Sequence, residues 1–398
     1  MAGVFKNDKS DIMIENNSNY SVLIIGIINH GHNQRLVKHL RSINPQARID
    51  FLASSVNNVP RDVIDSLSHL YVAKQSGIKN SLLGPIIKLL STISLLKSLK
   101  GSHYDVISIQ SAHYYQLFYI KYIRKLTSCI LLTPWGSDIY RIKGFQKVLS
   151  RRLFKACDMV TIANNKFGED VKKRYNLSPS KTVCLDIGSD AIDYIIEMND
   201  KVSQEQAKEK LGVSNSYVIT CSYNGLLAHR HELIIDAIKA VRDKLPTNLV
   251  LFFPFTYCAT EGYAERLKSK LDCYGLRYVF FEEYLSVEDL FLMRKSADMF
   301  VHIQPTDANS QSLQEYLLCG AKVVNGEWLR YKELEINETL PYFTVRSLES
   351  VDKDILRAFQ SSPIDISKET IDYIKSYGWK AWIVKWDAFF KRARKLQQ

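Results

Sequence analysis

The sequence predicts an α/β protein of two doubly wound, parallel-sheet domains in series. Short apolar runs of strand length alternate with longer amphipathic segments, and the alternation passes through two successive blocks. The 398 residues exceed one ordinary core and suit two domains of about 150–200 residues each. A hydrophobic fraction of 46% with 24% charged residues is typical of a folded globular chain.

The first block begins with a strand, a turn and a helix, and strands then alternate with helices. Strands are predicted at 20–28, 47–54, 106–112, 128–136 and 158–164. Strands joined by helical crossovers run parallel, so their carboxyl ends share one edge of the sheet. Ligands bind beyond that edge, which makes candidate loops of 29–34, 111–115 and 133–139.

The second block repeats this pattern after a linker predicted near 188–202. Its strands are predicted at 216–225, 248–255 and 277–283, with one more ending at Pro305. The candidate ligand loops are then 223–231, 254–260, 282–286 and 304–312. We expect domain boundaries of 1–195 and 196–372, a C-terminal helix at 373–398 that packs back toward the first domain, and a site in the cleft between the domains.

Cysteine usage and hydropathy favour a cytoplasmic protein. The seven cysteines form no C-x-x-C pair and no Cys/His cluster of zinc spacing, so we expect reduced core thiols. The N-terminus lacks the order of a signal peptide, and the longest apolar run, 22–28, is far shorter than the roughly 20 residues of a spanning helix. We therefore expect no membrane-crossing segment.

The excess of positive charge belongs entirely to the first half of the chain. Residues 1–190 contain 26 Lys and Arg against 13 Asp and Glu, whereas the remainder contains 27 against 29. This asymmetry predicts that the first domain faces an anionic partner: a phospholipid surface, a lipid diphosphate, a charged saccharide or nucleic acid. Nucleic acid fits least, because the basic stretches lack interleaved aromatic stacking residues.

Two stretches concentrate the positive charge. Residues 81–100 read as a leucine-rich amphipathic helix, and residues 140–156 contain six basic residues and no acid. The predicted membrane-facing side chains are Lys143, Lys147, Arg151 and Arg152. They indicate either a solvated helix face or peripheral attachment to anionic lipid, each cation near the surface contributing about 1 kcal/mol.

The segment 307–324, DANSQSLQEYLLCGAKVV, reads as a loop, a helix that starts near Ser310, a glycine stop and a strand. Asp307 lies on the loop and Glu315 is expected near the first turn of the helix, partly exposed. The two acids either cap and solvate the helix, worth about 0.3–1 kcal/mol, or hold a ligand. The pattern consists of an acid, seven intervening residues and a Glu, followed by a Gly and a strand. The combination is more specific than two acids eight residues apart.

This combination resembles GT-B glycosyltransferases, especially glycosyltransferase family 4 and related bacterial polysaccharide enzymes, in which a Glu usually stands where this chain has Asp307. The stretch 223–238, YNGLLAHRHELIIDAI, also resembles the lipid-linked 4-acetamido-4,6-dideoxygalactose transferases. The resemblance covers most of the chain. It implies a nucleotide diphosphate sugar as donor, a lipid-linked or cell-surface saccharide as acceptor, and retention of configuration.

The donor site is expected in the second domain. Glu315 would accept hydrogen bonds from the ribose hydroxyls, and Asp307 would reach the sugar ring. Arg230 would neutralise the departing diphosphate, with His229 and His231 as possible further donors; the alternative is a solvated helix start. The remaining predicted donor-binding residues are Asn224, Gly225, Ser310, Gln311 and Ser312.

The acceptor side is expected in the first domain, around His32, His113 and Asp138. Asp138 is the acid/base candidate there, with N-capping of the following helix as its alternative. The sequence shows no Asp-x-Asp in a strand-end loop and no acid/His cluster, so we expect no metal and no cofactor.

Two other classes stay open. A GT-B-fold nucleotide-sugar epimerase would need no acceptor, and a non-catalytic GT-B partner subunit would not consume the donor. The expected location is cytoplasmic, peripheral on the inner face of the cytoplasmic membrane, for a role in capsule or O-antigen synthesis.

Overall fold

A computed structural model describes most of the chain. The described residues are 19–56, 59–73, 84–135, 137–140, 142–162, 165–257, 259–307, 310–335 and 339–395. They divide into two compact units. The first unit contains the residues up to Gly188 and those from Trp379 onward, and the second contains Ser189–Gly378. The chain passes between the units at 188–189 and 378–379, whereas the boundaries expected from the sequence were 195 and 372.

The sheet of the first unit has seven parallel strands, within the described residues, in the order β3-β2-β1-β4-β5-β6-β7. Its strands are β1 Ser21–Gly26, β2 Arg48–Ala53, β3 His69–Val72, β4 Val106–Gln110, β5 Ile130–Thr133, β6 Met159–Ile162 and β7 Thr182–Cys184. Its helices are α1 Gly31–Ile43, α2 Arg61–Asp65, α3 Gly84–Ser98, α4 Ile120–Ile123, α5 Ser137–Tyr140, α6 Phe145–Ala156, α7 Asn165–Tyr175 and, after the second unit, α16 Trp379–Lys395.

Alternate residues of these strands are buried on opposite faces of the sheet. Leu23 and Ile25 pack in a core with side chains of α3, α4 and α6. Val22 and Ile24 pack in a second core with side chains of α1 and α16. Because helices cover both faces, the strands are apolar on both sides, which explains why the sequence shows continuous apolar runs.

The sheet of the second unit has six parallel strands, again among the described residues, in the order β10-β9-β8-β11-β12-β13. Its strands are β8 Tyr217–Cys221, β9 Leu249–Pro254, β10 Arg277–Phe281, β11 Met299–His302, β12 Lys322–Gly326 and β13 Phe343–Val345. Its helices are α8 Asp190–Met198, α9 Gln204–Lys210, α10 His231–Ala240, α11 Tyr263–Cys273, α12 Val287–Ser296, α13 Gln311–Leu318, α14 Val351–Gln360 and α15 Lys368–Lys375.

The prediction of two parallel-sheet domains is confirmed, but several local details differ. The linker expected near 188–202 is largely helix α8, whose apolar residues Ile192 and Ile195 are buried in the second unit. The C-terminal helix is interrupted, because Gly378 separates α15 from α16. A side chain at Gly378 would meet the Asp193 carboxylate, which would have to move. The strand before Asp307 ends at His302 rather than at Pro305.

Two details of the cysteine and hydropathy predictions can be compared with the structure. The described cysteines are free, but Cys184 and Cys273 are exposed, so not every thiol lies in a core. Cys258 falls outside the described residues. Within the described part of the chain, no helix combines the length and the apolar character that spanning a bilayer requires.

Candidate functional site

The carboxyl ends of β8 and β11 lie side by side in the second unit. The strand order reverses between them, because β8 leads to β9 on one side and β11 leads to β12 on the other. Such a switch point opens a crevice beyond the strand ends, where ligands bind in doubly wound sheets. The loops 222–230 and 303–310, with the segment after β12, therefore form the candidate donor site.

Asp307 lies within a cluster of polar side chains at this switch point. Its Oδ2 atom accepts a hydrogen bond of 2.6 Å from Gln304 Nε2 and one of 3.2 Å from Tyr223 OH. Gln304 Nε2 also donates to Tyr223 OH over 3.0 Å. Burial first, and the negative charge of Asp307 second, raise the pKa of the Tyr223 hydroxyl. The carboxylate is therefore held in a defined orientation at the end of β11.

His302, the last residue of β11, and Asn325, near the end of β12, support this cluster. His302 Nδ1 lies 2.9 Å from Asn325 Oδ1, and the amide nitrogen of Asn325 donates to the Gly326 carbonyl, which fixes Asn325 Oδ1 as an acceptor. His302 Nδ1 must then carry the proton. His302 Nε2 lies 3.5 Å from Asp307 Oδ2, so the imidazole ring lies against the carboxylate.

Arg230 reaches the same strand end from the other loop. It precedes α10 in the left-handed conformation, with φ of 57°, a strained backbone state for a residue other than glycine. Its Nη1 donates to the Ile303 carbonyl over 3.0 Å, and its guanidinium carbon lies 5.7 Å from the Trp328 ring centroid. Trp328 Nε1 in turn donates to the Gln304 carbonyl over 2.7 Å. The structure thus places Arg230 and Asp307 around one loop.

The histidines that flank Arg230 are buried, which corrects the expectation that they add donors for a ligand. His229 contacts the Ser222 hydroxyl, and burial lowers its pKa to about 4. His231 packs against Phe255, with its Nδ1 3.3 Å from Tyr263 OH, and burial lowers its pKa to about 3. Both imidazoles are neutral at pH 7 and belong to the core of the second unit.

His231→Phe is expected to flatten the pH dependence of stability below pH 6.5. The unfolded histidine binds a proton near pH 6.5 while the folded one does not, so the free energy of unfolding falls as the pH falls, by about 1.4 kcal/mol per pH unit. Urea unfolding between pH 7 and pH 5 measures the slope. Tyr263→Phe is the control, because it removes the same hydrogen bond and keeps the histidine. Equal slopes in wild type and His231→Phe would contradict the prediction.

Asn224 and Gly225 shape the turn after β8. The side-chain oxygen of Asn224 accepts from the Leu226 backbone N–H over 3.0 Å, so the residue closes its own turn. A Cβ at Gly225 would lie 2.7 Å from Ala259 Cα, so only glycine permits the close approach of that neighbouring segment. Both residues were predicted to bind the donor. In the structure each has a local structural role in this turn.

Helix α13 begins beside Asp307 with a polar, acid-free first turn. The helix starts next to Ser310, as predicted, and Ser310 is its N-cap: the Ser310 hydroxyl accepts from the Leu313 backbone N–H over 3.2 Å. Gln311 and Ser312 follow, each partly exposed. The free backbone N–H groups and the positive end of the helix dipole make this helix start suitable for an anion.

Glu315 differs most from its prediction, because it is buried in the second turn of α13 rather than partly exposed near the first. Its Oε2 accepts from Arg294 Nε over 3.1 Å, and both side chains are less than 7% exposed. Its Oε1 accepts from the Ser189 hydroxyl over 3.4 Å. Arg294 also donates to Tyr316 OH over 2.9 Å and to Ser312 Oγ over 3.2 Å. Glu315 thus anchors a buried network under the start of α13.

Arg294 and Ser189 were not predicted. Arg294 lies near the end of α12 and is 3% exposed, with its guanidinium carbon 4.4 Å from the Tyr316 ring centroid. The local sequence, LFLMRKS, resembles the basic last turn of any solvated helix. Nothing in it indicates that the guanidinium points inward, so only the tertiary contact identifies this partner.

The first unit has a switch point of its own, between β1 and β4. His32 follows β1, and its ring stacks on Trp135, with ring centroids 5.1 Å apart. Burial lowers the pKa of His32 to about 4. His113 follows β4, where burial lowers its pKa and its ring stacks on Tyr115, 5.3 Å away. Trp135, which the sequence did not single out, is the side chain on which His32 rests.

Asp138 connects two of these strand-end loops. Its Oδ2 accepts from the Ala112 backbone N–H over 2.5 Å, and its Oδ1 accepts from the Trp135 backbone N–H over 2.7 Å. Burial raises its pKa, while these hydrogen bonds and the nearby His113 oppose the rise. Both carboxylate oxygens therefore bind the backbone before α5, a contact different from the N-cap considered for this residue.

The predicted membrane-facing residues lie around α6. Lys143 precedes the helix, which begins at Phe145, so only Lys147, Arg151 and Arg152 lie on α6. These three residues and Lys143 are exposed. The amphipathic stretch predicted at 81–100 contains α3, and its first three residues lie outside the described residues. In the part of the chain that the structure describes, no three His, Cys, Asp or Glu side chains are grouped to hold a metal ion.

Comparison with known proteins identifies the fold. No protein-family model and no curated protein sequence matches the chain. A glycosyltransferase from Rickettsia africae is similar in structure, with a TM-score of 0.72, 14% identity, and coverage of 95% of this chain and 100% of the other.

Two further solved structures show the same similarity. Sucrose-phosphate synthase from Thermosynechococcus elongatus has a TM-score of 0.66, 14% identity, and coverage of 95% of this chain and 100% of its own. HepE from Anabaena, solved with UDP-glucose, has a TM-score of 0.61, 14% identity, and coverage of 95% and 100%. At these identities the similarity establishes the fold alone. The chain has the two Rossmann-like parallel-sheet domains of the GT-B fold.

Proposed function

We propose that this chain is a glycosyltransferase that moves a sugar from a nucleotide diphosphate sugar, bound by the second unit, to a saccharide acceptor. The observation that carries the proposal is the arrangement at the second switch point. Arg230, Asp307 and the start of α13 all lie at the carboxyl ends of β8 and β11. In the same fold, HepE was solved with UDP and with UDP-glucose.

The diphosphate of such a donor carries about two negative charges, and this site offers two sources of positive potential. One is the start of α13, with its unpaired backbone N–H groups. The other is Arg230, whose hydrogen bond to the Ile303 carbonyl uses one of five guanidinium N–H donors. Charge on the diphosphate grows as the glycosidic bond breaks, so Arg230 would stabilise the leaving group most in the transition state.

Asp307 would accept hydrogen bonds from hydroxyls of the transferred sugar. Tyr223 and Gln304 both donate to Oδ2, so they orient the carboxylate before the sugar binds. In this proposal Glu315 does not contact the donor and acts indirectly. Through Arg294 it holds Ser312 and therefore the first turn of α13, where the nucleotide would bind.

The acceptor would bind the first unit, at the loops that contain His32, His113 and Asp138. A lipid-linked or cell-surface saccharide suits the excess positive charge of this half of the chain. We propose that the reaction retains configuration, proceeds without a metal, and takes place with the protein peripheral on the inner face of the cytoplasmic membrane. The charges of Lys143, Lys147, Arg151 and Arg152 support membrane attachment.

A thermal-shift screen against nucleotide sugars tests the donor assignment. A cognate donor at 100 times its dissociation constant is expected to add about 2.7 kcal/mol to the free energy of unfolding, and the free sugar should add nothing. UDP-glucose, UDP-N-acetylglucosamine and their GDP and dTDP counterparts are the first panel. Asp307→Asn keeps the shape of the side chain and should reduce the shift more for the nucleotide sugar than for the nucleotide alone.

The same screen separates the alternatives. If no nucleotide or nucleotide sugar stabilises the wild-type protein, the proposed donor site is wrong. If a donor binds and is converted without any acceptor into an isomeric nucleotide sugar, the protein is an epimerase. A donor that binds but is never consumed, with any saccharide or lipid-linked acceptor, identifies a non-catalytic subunit.

A further inference from the structure

A small cavity in the first unit lies beside α6, next to the segment that contains Asp138 and Ile139. It has a volume of about 140 Å³ and is lined by Ile142, Lys147, Arg151, Arg174 and Tyr175. Lys147 and Arg151 are four residues apart on α6, so they share a helix face, and Arg174 and Tyr175 end the neighbouring helix α7. Three cations and the Tyr175 side chain therefore line this space.

The three cations have no acidic partner within ion-pair distance among the described residues. Arg174 is held in place, because its Nη1 donates to the Ile139 carbonyl over 2.9 Å and its guanidinium carbon lies 5.6 Å from the Tyr140 ring centroid. Its remaining N–H donors are available for a ligand. These three exposed cations repel one another only weakly across water, and an anion bound between them would remove that repulsion.

Tyr175 provides the second, independent observation. The residue is 2% exposed, and its hydroxyl is buried without a hydrogen-bond partner in the described structure. An unsatisfied buried hydroxyl costs about 1–3 kcal/mol, which a ligand oxygen in the cavity would recover. Burial, with the negative charge of Asp138, raises the pKa of Tyr175 to about 12, and the charges of Arg174 and Arg151 oppose the rise. The group is therefore a proton donor at neutral pH, as a phosphate oxygen requires.

The surroundings of the cavity indicate where the phosphate group comes from. On α6, Phe145 is 72% exposed and Val148 is 44% exposed, next to Lys147. Helices α6 and α3 both pack against the 3₁₀ segment Tyr114–Tyr119. Phe118 of that segment and Leu90 of α3 are 49% and 59% exposed. Exposed apolar side chains beside unpaired cations are typical of surfaces that bind lipid headgroups.

We propose that Lys147, Arg151, Arg174 and Tyr175 form a binding site for the phosphate group of a membrane lipid, with Phe145 and Val148 inserted among the neighbouring acyl chains. The site holds α6 at the bilayer by a specific contact, beyond the diffuse attraction of its charges. It is a binding function and does not depend on the proposed transferase activity.

Vesicle co-sedimentation of the full-length chain tests the proposal with two variants and a matched control. The vesicles contain phosphatidylcholine alone or with phosphatidic acid, a phosphomonoester, or phosphatidylglycerol, a phosphodiester. Tyr175→Phe changes no charge and removes only the buried hydroxyl, so it should weaken binding to the anionic vesicles about tenfold while leaving stability unchanged or higher. Arg151→Gln should weaken binding about tenfold more than Arg152→Gln, which removes the same charge from the next position of α6.

The opposite results overturn the proposal. If Arg151→Gln and Arg152→Gln release the protein equally, by about fivefold each, and Tyr175→Phe has no effect, the attraction is diffuse and no site exists. Glycerol 3-phosphate, a soluble phosphomonoester, identifies the source. Suppose that glycerol 3-phosphate binds to the wild type, that Tyr175→Phe abolishes this binding, and that the wild-type protein does not sediment with anionic vesicles. The cavity then binds a soluble phosphate ester, and the lipid assignment is wrong.

Discussion

Glu315→Ala is expected to lower the free energy of unfolding of the second unit by about 3–5 kcal/mol. Glu315 and Arg294 are both buried, and their ion pair of 3.1 Å is the main compensation for the desolvated guanidinium. Removing the carboxylate leaves a buried positive charge whose remaining hydrogen-bond partners, in the described part of the chain, are Tyr316 OH and Ser312 Oγ. Chemical unfolding followed by circular dichroism measures the loss.

An exposed ion pair of the same unit is the matched control. Glu232 and Arg266 form a contact of 2.7 Å with side chains that are 42% and 60% exposed, so Glu232→Ala should cost less than about 1 kcal/mol. The double variant Glu315→Leu with Arg294→Met should recover most of the stability, because it removes both buried charges and keeps apolar volume. A loss below about 1 kcal/mol for Glu315→Ala would show that the pair is not a structural anchor.

The same experiment distinguishes two roles for Glu315 at the donor site. If the residue acts through Arg294 and Ser312, loss of nucleotide-sugar affinity should accompany loss of stability and should be repaired partly by the double variant. If it contacts the ribose directly, affinity should fall without any repair. Isothermal titration with the donor found by thermal shift gives the affinity of each variant.

Arg230→Ala is expected to reduce kcat by about 10²–10³, with a smaller change in KM. The guanidinium would face negative charge that develops on the diphosphate only as the glycosidic bond breaks, so its loss acts mainly on the transition state. Release of the nucleoside diphosphate in the presence of acceptor measures kcat and KM. The stability of each variant should be measured in parallel, because Arg230 also donates to the Ile303 carbonyl.

Arg230→Lys is the control that separates charge from geometry. Lysine keeps the positive charge at this strained, left-handed backbone position but lacks the planar guanidinium. The kcat of Arg230→Lys should therefore lie between those of the wild type and Arg230→Ala. A change confined to KM would make Arg230 a residue of ground-state binding. Unchanged kinetics in Arg230→Ala would leave only its structural contacts with Ile303 and Trp328.

The sequence by itself determined the class of fold and the position of the main elements. The central strands β1, β4, β8 and β11 are buried apolar runs, and such runs are visible because both faces of a parallel sheet are covered. The start of α13 was also predictable, because a serine N-cap hydrogen-bonds locally to its own helix. These features depend on residues that are near one another in the chain.

Three strands depended on tertiary pairing and were not predicted. β3 has four residues, and β7 and β13 have three each. They lie at or near the sheet edges, where each is stabilised by backbone hydrogen bonds to a neighbouring strand. A run of three or four residues is too short for the two-residue repeat of apolar and polar side chains to be recognised. Whether such a run forms a strand therefore depends on the neighbouring strand with which it pairs.

The candidate site also contains some residues whose positions follow from the sequence and others whose environment only the tertiary structure reveals. The sequence placed Asp307 and Arg230 in strand-end loops, because the alternation of strands and helices determines which loops share an edge of the sheet. Only the tertiary structure decided that Glu315 is buried, since the guanidinium that compensates it comes from Arg294 on another helix. A carboxylate in a helical sequence is expected to face water, and its burial becomes favourable only when a remote partner supplies the opposite charge.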